Sequence, residues 1–126
     1  MSAPKIMPVE ECRPAEEVFD AARLHNYVMG NQELAAEVAG LFLVQLPAML
    51  RALDDAASQK DWAFATHALK GSAAVIGAPR LQHLMAELEA IPFDRESTTR
   101  RLRIEVVRAA AATLRQALRA AYPAAG

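Results

Sequence analysis

Apolar residues recur along this chain at three- and four-residue spacing, and glycine, proline and small polar residues punctuate the runs. That period predicts helices; no stretch alternates apolar and polar between turn signals, so no strand is expected. Asp20 can cap a short helix through Leu24, Tyr27 and Val28, ended by Gly30, where a left-handed residue is wanted. Asn31 then caps a second helix reaching about Ala57, and its interior Pro47 removes a backbone donor, so one bent helix is expected. A third opens on Asp61, whose carboxylate can accept from the free amides of the first turn, and closes on Gly77. Pro79 suits the first turn of a fourth, which Pro92 stops just after Ala90. The polar stretch "FDRESTT" leads into a last helix from about Thr98 to Ala121. Five helices on short connections predict an all-α antiparallel bundle.

A chain of 126 residues suits one domain. Residues 1–17 carry Pro4, Pro8 and Pro14 among acidic positions and are expected to form a flexible leader, leaving 18–122 as the helical unit and 123–126 as a frayed tail. A net charge of −1 gives no overall attraction to nucleic acid or anionic membranes, so recognition must be local. Cys12 is the only cysteine, which excludes an internal disulfide or a cysteine-based zinc cage. The N-terminal stretch lacks the continuous apolar core of a secretory signal, and the uncharged apolar run Val38 to Leu50 falls short of the roughly 18 residues a spanning helix needs. A cytoplasmic protein, with neither membrane nor nucleic acid as partner, is the expectation.

The third helix repays an angular reading at about 100° per residue. With Leu69 facing the core, Trp62, Ala65, Ala73 and Ile76 fall within about 40° of it and form an anchoring stripe. His67 lies about 160° away on the opposite face, beside Ala63, Phe64, Gly71, Ala74 and Val75, with Lys70 at the border. Such a face is unexpectedly apolar and small, and two readings of it stand open. In one the helix is covered on both sides, the histidine is an ordinary core residue and the glycine permits close packing. In the other the face is exposed, and a patch of small apolar residues around a nucleophile marks a docking site for another protein.

The second reading gives the residues a chemical purpose. An imidazole that is substantially neutral at cellular pH can attack phosphorus through a ring nitrogen. Lys70, one turn on, supplies a cation that disfavours the imidazolium and attracts an anionic phosphoryl group. Gly71 costs about 1 kcal/mol of helix propensity relative to alanine, yet leaves a gap beside the ring through which another active site could approach.

The run "HALKGSAAVIGA", from His67 to Ala78, resembles the signature of histidine-containing phosphotransfer (HPt) domains. The similarity extends over most of residues 19–91 and includes "LFLVQLPAMLRALDDAASQKDW", which is similar to the long family helix and the turn into the histidine helix. The resemblance implies an antiparallel four-helix bundle with an additional short N-terminal helix. It implies that His67 carries the phosphoryl group on its outer ring nitrogen, that Lys70 and Ser72 support it, and that Gly71 is the close-contact position. In some members a glutamine on the next helix holds the other ring nitrogen; the equivalent place here is Glu89, whose carboxylate would orient the ring and favour the imidazolium, against Lys70. The partners implied are response-regulator receiver domains, which carry the aspartate and the magnesium, and an upstream hybrid histidine kinase. No cofactor is expected on this chain.

No nucleotide-binding signature accompanies these residues: "LKGSA" lacks the upstream glycine of a Walker loop, so the chain is expected to be a phosphoryl carrier without a kinase domain of its own. His83 and Glu87 stand four apart and could form one edge of a metal site, though a solvated pair is the simpler reading, and His25 has no assignable partner. The last helix sets Arg100, Arg101, Arg103, Arg108, Arg115 and Arg119 against Glu105 alone, a solvated face or a surface for an acidic partner. The competing function is a non-phosphorylated helical adaptor, favoured if His67 is buried.

Overall fold

The computed structural model describes residues 14–94 and 96–123. Among them every regular element is a helix: α1 Pro14–Val18, α2 Ala21–Tyr27, α3 Gln32–Asp55, α4 Gln59–Ile76, α5 Pro79–Glu89 and α6 Thr98–Ala121. Helix α3 packs on α4, α4 on α5, α5 on α6, and α6 back on α3, so the four long helices close a ring with α4 and α6 across it from each other. Leu24, Leu46, Leu53, Trp62, Leu69 and Leu114 are among the buried side chains that fill its centre.

Helix ends follow the capping residues. Asp20 Oδ1 accepts from the Ala22 amide at 3.2 Å, and Asn31 Oδ1 from the Leu34 amide at 3.0 Å, as expected for two N-caps. Helix α4 starts otherwise than expected: its N-cap is Ser58, whose Oγ accepts from the Asp61 amide at 3.1 Å. Asp61 sits inside the first turn and reaches back, its Oδ2 accepting from the Ala57 amide at 3.2 Å, so the two side chains satisfy free donors reciprocally in a variant of the capping box. Helix α3 runs unbroken through Pro47. Helix α2 ends at Tyr27, and both Met29 and Gly30 beyond it have positive φ.

Gly77 closes α4 with φ 84° and donates to the Ala73 carbonyl. Its own carbonyl accepts from the Asp20 amide at 2.7 Å, which ties the start of α2 to the end of α4. A Cβ at this position would lie 2.6 Å from the Asp20 carbonyl oxygen.

Three further features depart from expectation. Residues 14–17 were assigned to the flexible leader but form most of α1, which packs on α5 and α6 and holds Arg80 Nη2 on Glu17 Oε1 at 2.9 Å; a partner 63 residues away leaves no local pattern to read. Residues 1–13 and 124–126 lie outside the described residues, so two short N-terminal helices, not one, are seen ahead of the long ones. Helix α3, whose apolar run was expected to be too short, is long and apolar enough by length and composition to cross a membrane. Its Ala35, Ala39, Phe42, Leu46, Leu50 and Leu53 recur at helical period and are buried in the core, while Leu34, Leu41 and Val44 are exposed.

The third departure is Arg100. Rather than joining a solvated face it is buried, its guanidinium 5.3 Å from the ring centroids of both Trp62 and Phe93, with Nη1 donating to the Leu53 carbonyl at 3.1 Å. The Trp62 indole donates to the Ile91 carbonyl at 3.0 Å. One cation thus joins α3, α4, the α5–α6 connection and α6.

Candidate functional site

The stripe Trp62, Ala65, Leu69, Ala73 and Ile76 is buried as the angular reading requires, and turns the opposite side of α4 to solvent. His67 is 74% exposed there and Phe64 77% exposed, with Ala63 and Gly71 open beside them and Ala74 and Val75 half-buried at the margins. A helix covered on both sides would have buried these side chains, so the histidine is not a core residue.

Helix α5 brings Glu89, its last residue, against α4. Glu89 Oε2 lies 3.1 Å from His67 Nδ1, and Lys70 Nζ donates to Glu89 Oε1 at 2.6 Å. The Lys70 hydrogen bond, and after it that of His67, hold the Glu89 carboxyl below the usual glutamate range against the opposing effect of desolvation. An ionised carboxylate only accepts, so the nitrogen facing it must be the one bearing hydrogen. Nδ1 is then the donor, and in the neutral ring the free lone pair belongs to Nε2, on an exposed side chain. Lys70, the cation one turn from His67, is anchored to the same carboxylate, which fixes where its charge sits.

At Gly71, one turn beyond His67, an added Cβ would meet nothing within 4 Å. Close helix packing therefore does not require this glycine. The open space continues as a groove between α4 and α3, lined by His67, Gly71 and Val75 on one side and by Val38, Leu41 and Gln45 on the other. The α3 wall of this groove has no motif to mark it in the sequence; its one local signal is Leu41, an apolar residue off the buried face of α3 and exposed. Ser72 stands partly buried in the groove wall and makes no hydrogen bond to His67, Lys70 or Glu89 among the described residues.

Several of the remaining candidates make contacts within the protein. His83 Nε2 lies 3.2 Å from Glu87 Oε2, and the same carboxylate takes Arg103 Nη1 at 3.3 Å. Arg108 binds Asp54 across to α3. Arg100, Arg103 and Arg108 of the arginine-rich helix thus serve contacts within the protein, so a solvated face does not account for all six arginines. His25 is exposed.

The family model for the Hpt domain matches residues 37–122, well over half of the chain. The chain belongs to the Hpt domain family. Comparison with curated proteins and with solved structures gives no match. The Hpt match begins inside α3 and ends at Tyr122, so it contains His67, Lys70, Gly71 and Glu89, both walls of the groove and the buried Arg100. Membership of the Hpt family implies phosphotransfer in two-component signalling.

Proposed function

We propose that this Hpt domain is the histidine phosphotransfer protein of a phosphorelay, taking a phosphoryl group onto His67 from the phosphorylated aspartate of one receiver domain and giving it to the aspartate of another. The observation that carries this reading is an exposed imidazole held through Nδ1 by Glu89, beside a glycine that no internal contact explains. In the forward step the Nε2 lone pair forms the N–P bond while the P–O bond to the aspartate breaks, and the carboxylate leaves with that electron pair. Attack makes the ring cationic; the proton stays on Nδ1, where Glu89 stabilises the positive charge. Lys70, fixed on the other carboxylate oxygen, presents its charge to the incoming phosphoryl group. Gly71 leaves room for the receiver, while Ala63, Phe64, Ala74 and Val75 offer apolar surface to it. Ser72 supports the phosphoryl group only if its groove-side position is reached on docking.

In this reading the long helices form an antiparallel four-helix bundle, the donors and acceptors are response-regulator receiver domains fed by a hybrid histidine kinase, and the protein works in the cytoplasm. Magnesium belongs to the receiver and supplies charge neutralisation there; this chain contributes the nucleophile and the docking face. Incubation with a phosphorylated receiver domain is expected to leave acid-labile phosphate on the wild-type chain. His67→Gln should abolish that label with its helical circular dichroism unchanged, because the ring is exposed and supports no core contact. Retained label on the variant would overturn the site. Receiver binding without any transfer would return the adaptor reading.

A further inference from the structure

Helix α6 buries one face through Ile104, Val107, Ala111, Leu114 and Leu118, yet its opposite face is not polar. Leu102 is 63% and Val106 52% exposed there, followed by exposed Ala109, Thr113, Gln116 and Ala120. These positions are spaced alternately by four and three residues, the repeat of a helix–helix seam, over about 28 Å of helix. Thr113 directs its hydroxyl to the Ala109 carbonyl at 3.2 Å, so its polar group is satisfied within the helix.

The charges beside the seam say what fits it. Along one flank stand Glu105, Ala112 and Arg119, seven residues apart and all exposed. Glu105 has only a 3.9 Å contact to Arg108, which is itself engaged by Asp54, and Arg119 forms no ion pair among the described residues. Within one helix Glu105 and Arg119 are about 21 Å apart and cannot meet. When a second α6 is laid antiparallel on the first, this flank faces its own reverse: Ala112 meets Ala112, and each Glu105 meets the Arg119 of the other copy. Leu102 then lies over Ala120, Val106 over Gln116 and Ala109 over Thr113, the small Ala109, Thr113 and Ala120 allowing close approach. A parallel arrangement creates neither ion pair.

We propose that the outer face of α6 is a self-association surface, through which two copies of this chain pair antiparallel about a two-fold axis at Ala112. Because α4 lies across the helix ring from α6, the pairing leaves both His67 sites facing outward and free. A seam of one helix per partner buries less than the roughly 800 Å² a side of stable complexes, so the dimer is concentration-dependent, with Kd on the order of 10–100 μM.

Sedimentation equilibrium of the full chain tests this. Wild type should pass from monomer to dimer across that range, whereas Glu105→Arg and Arg119→Glu, each placing like charges at both contact points, should weaken association at least about tenfold. An equimolar mixture of the two variants should associate again, because each then supplies the charge the other lacks. Circular dichroism on each variant checks that the exposed substitution leaves the helices intact. A wild-type chain that stays monomeric, variants that dimerise as well as wild type, or a mixture that stays monomeric would each overturn the proposal.

Discussion

At Gly77 an added Cβ would lie 2.6 Å from the Asp20 carbonyl oxygen, whereas at Gly71, six residues earlier in the same helix, it would meet nothing within 4 Å. The first glycine is dictated from inside: left-handed backbone and a backbone crossing leave no space for a side chain. The second is helical, solvent-facing and replaceable as far as the fold is concerned, so its reason must lie in something that approaches from outside. The difference separates residues that a structure explains from residues that a structure merely permits, and at a binding face the second kind carries the information.

The contrast can be broken most forcefully at Gly77. Gly77→Ala should lower the free energy of unfolding by about 3 kcal/mol, combining left-handed strain with displacement of the Asp20 backbone; a denaturant melt unchanged from wild type would remove the distinction. Gly71→Gln should move stability the other way, by about 0.5 kcal/mol, through helix propensity alone, while weakening receiver binding by filling the space beside His67. Both readouts are needed on the same protein: a lowered melting temperature would mean that the position is packed after all, and undiminished receiver affinity would mean that nothing docks there.

The smallest effect is electrostatic. The folded-state pKa of Glu89 is depressed, so its bonds to Lys70 and His67 contribute stability that is whole above the ordinary glutamate value of about 4.3 and is lost as pH falls through the lowered folded value. Glu89→Gln removes this contribution. The stability difference between wild type and variant should therefore shrink as pH falls below the ordinary glutamate value, a trend that unfolding curves at several acidic pH values would show; a difference that grows through that acid range would contradict the assigned sign.

The sequence made one face of α4 readable because Trp62, Ala65, Leu69, Ala73 and Ile76 repeat at helical period, and a buried stripe of that period is a local property. Asp20, Asn31 and Gly77 were legible for the same reason, since a cap acts within four residues. Ser58 and Asp61 could each have capped α4, and only the hydrogen bonds show that they divide the task. Arg100 was misread because its surroundings come from distant parts of the chain: Trp62, Phe93 and the Leu53 carbonyl meet only after the helices have packed. Glu89 was reached through resemblance alone. Its contact with His67 spans 22 residues and two helices, beyond any periodicity.

Trp62 is the only tryptophan in the chain, and it lies fully buried beneath the Arg100 guanidinium with its indole hydrogen bonded. This single tryptophan, excitable at wavelengths where Tyr27 and Tyr122 hardly absorb, lies on the side of α4 turned away from His67. Its emission follows the integrity of the helix packing, since Trp62 is fully buried while His67 stands exposed on the opposite face of the same helix. Folding can thus be followed in the near ultraviolet through a reporter built into the core, with nothing attached to the exposed face.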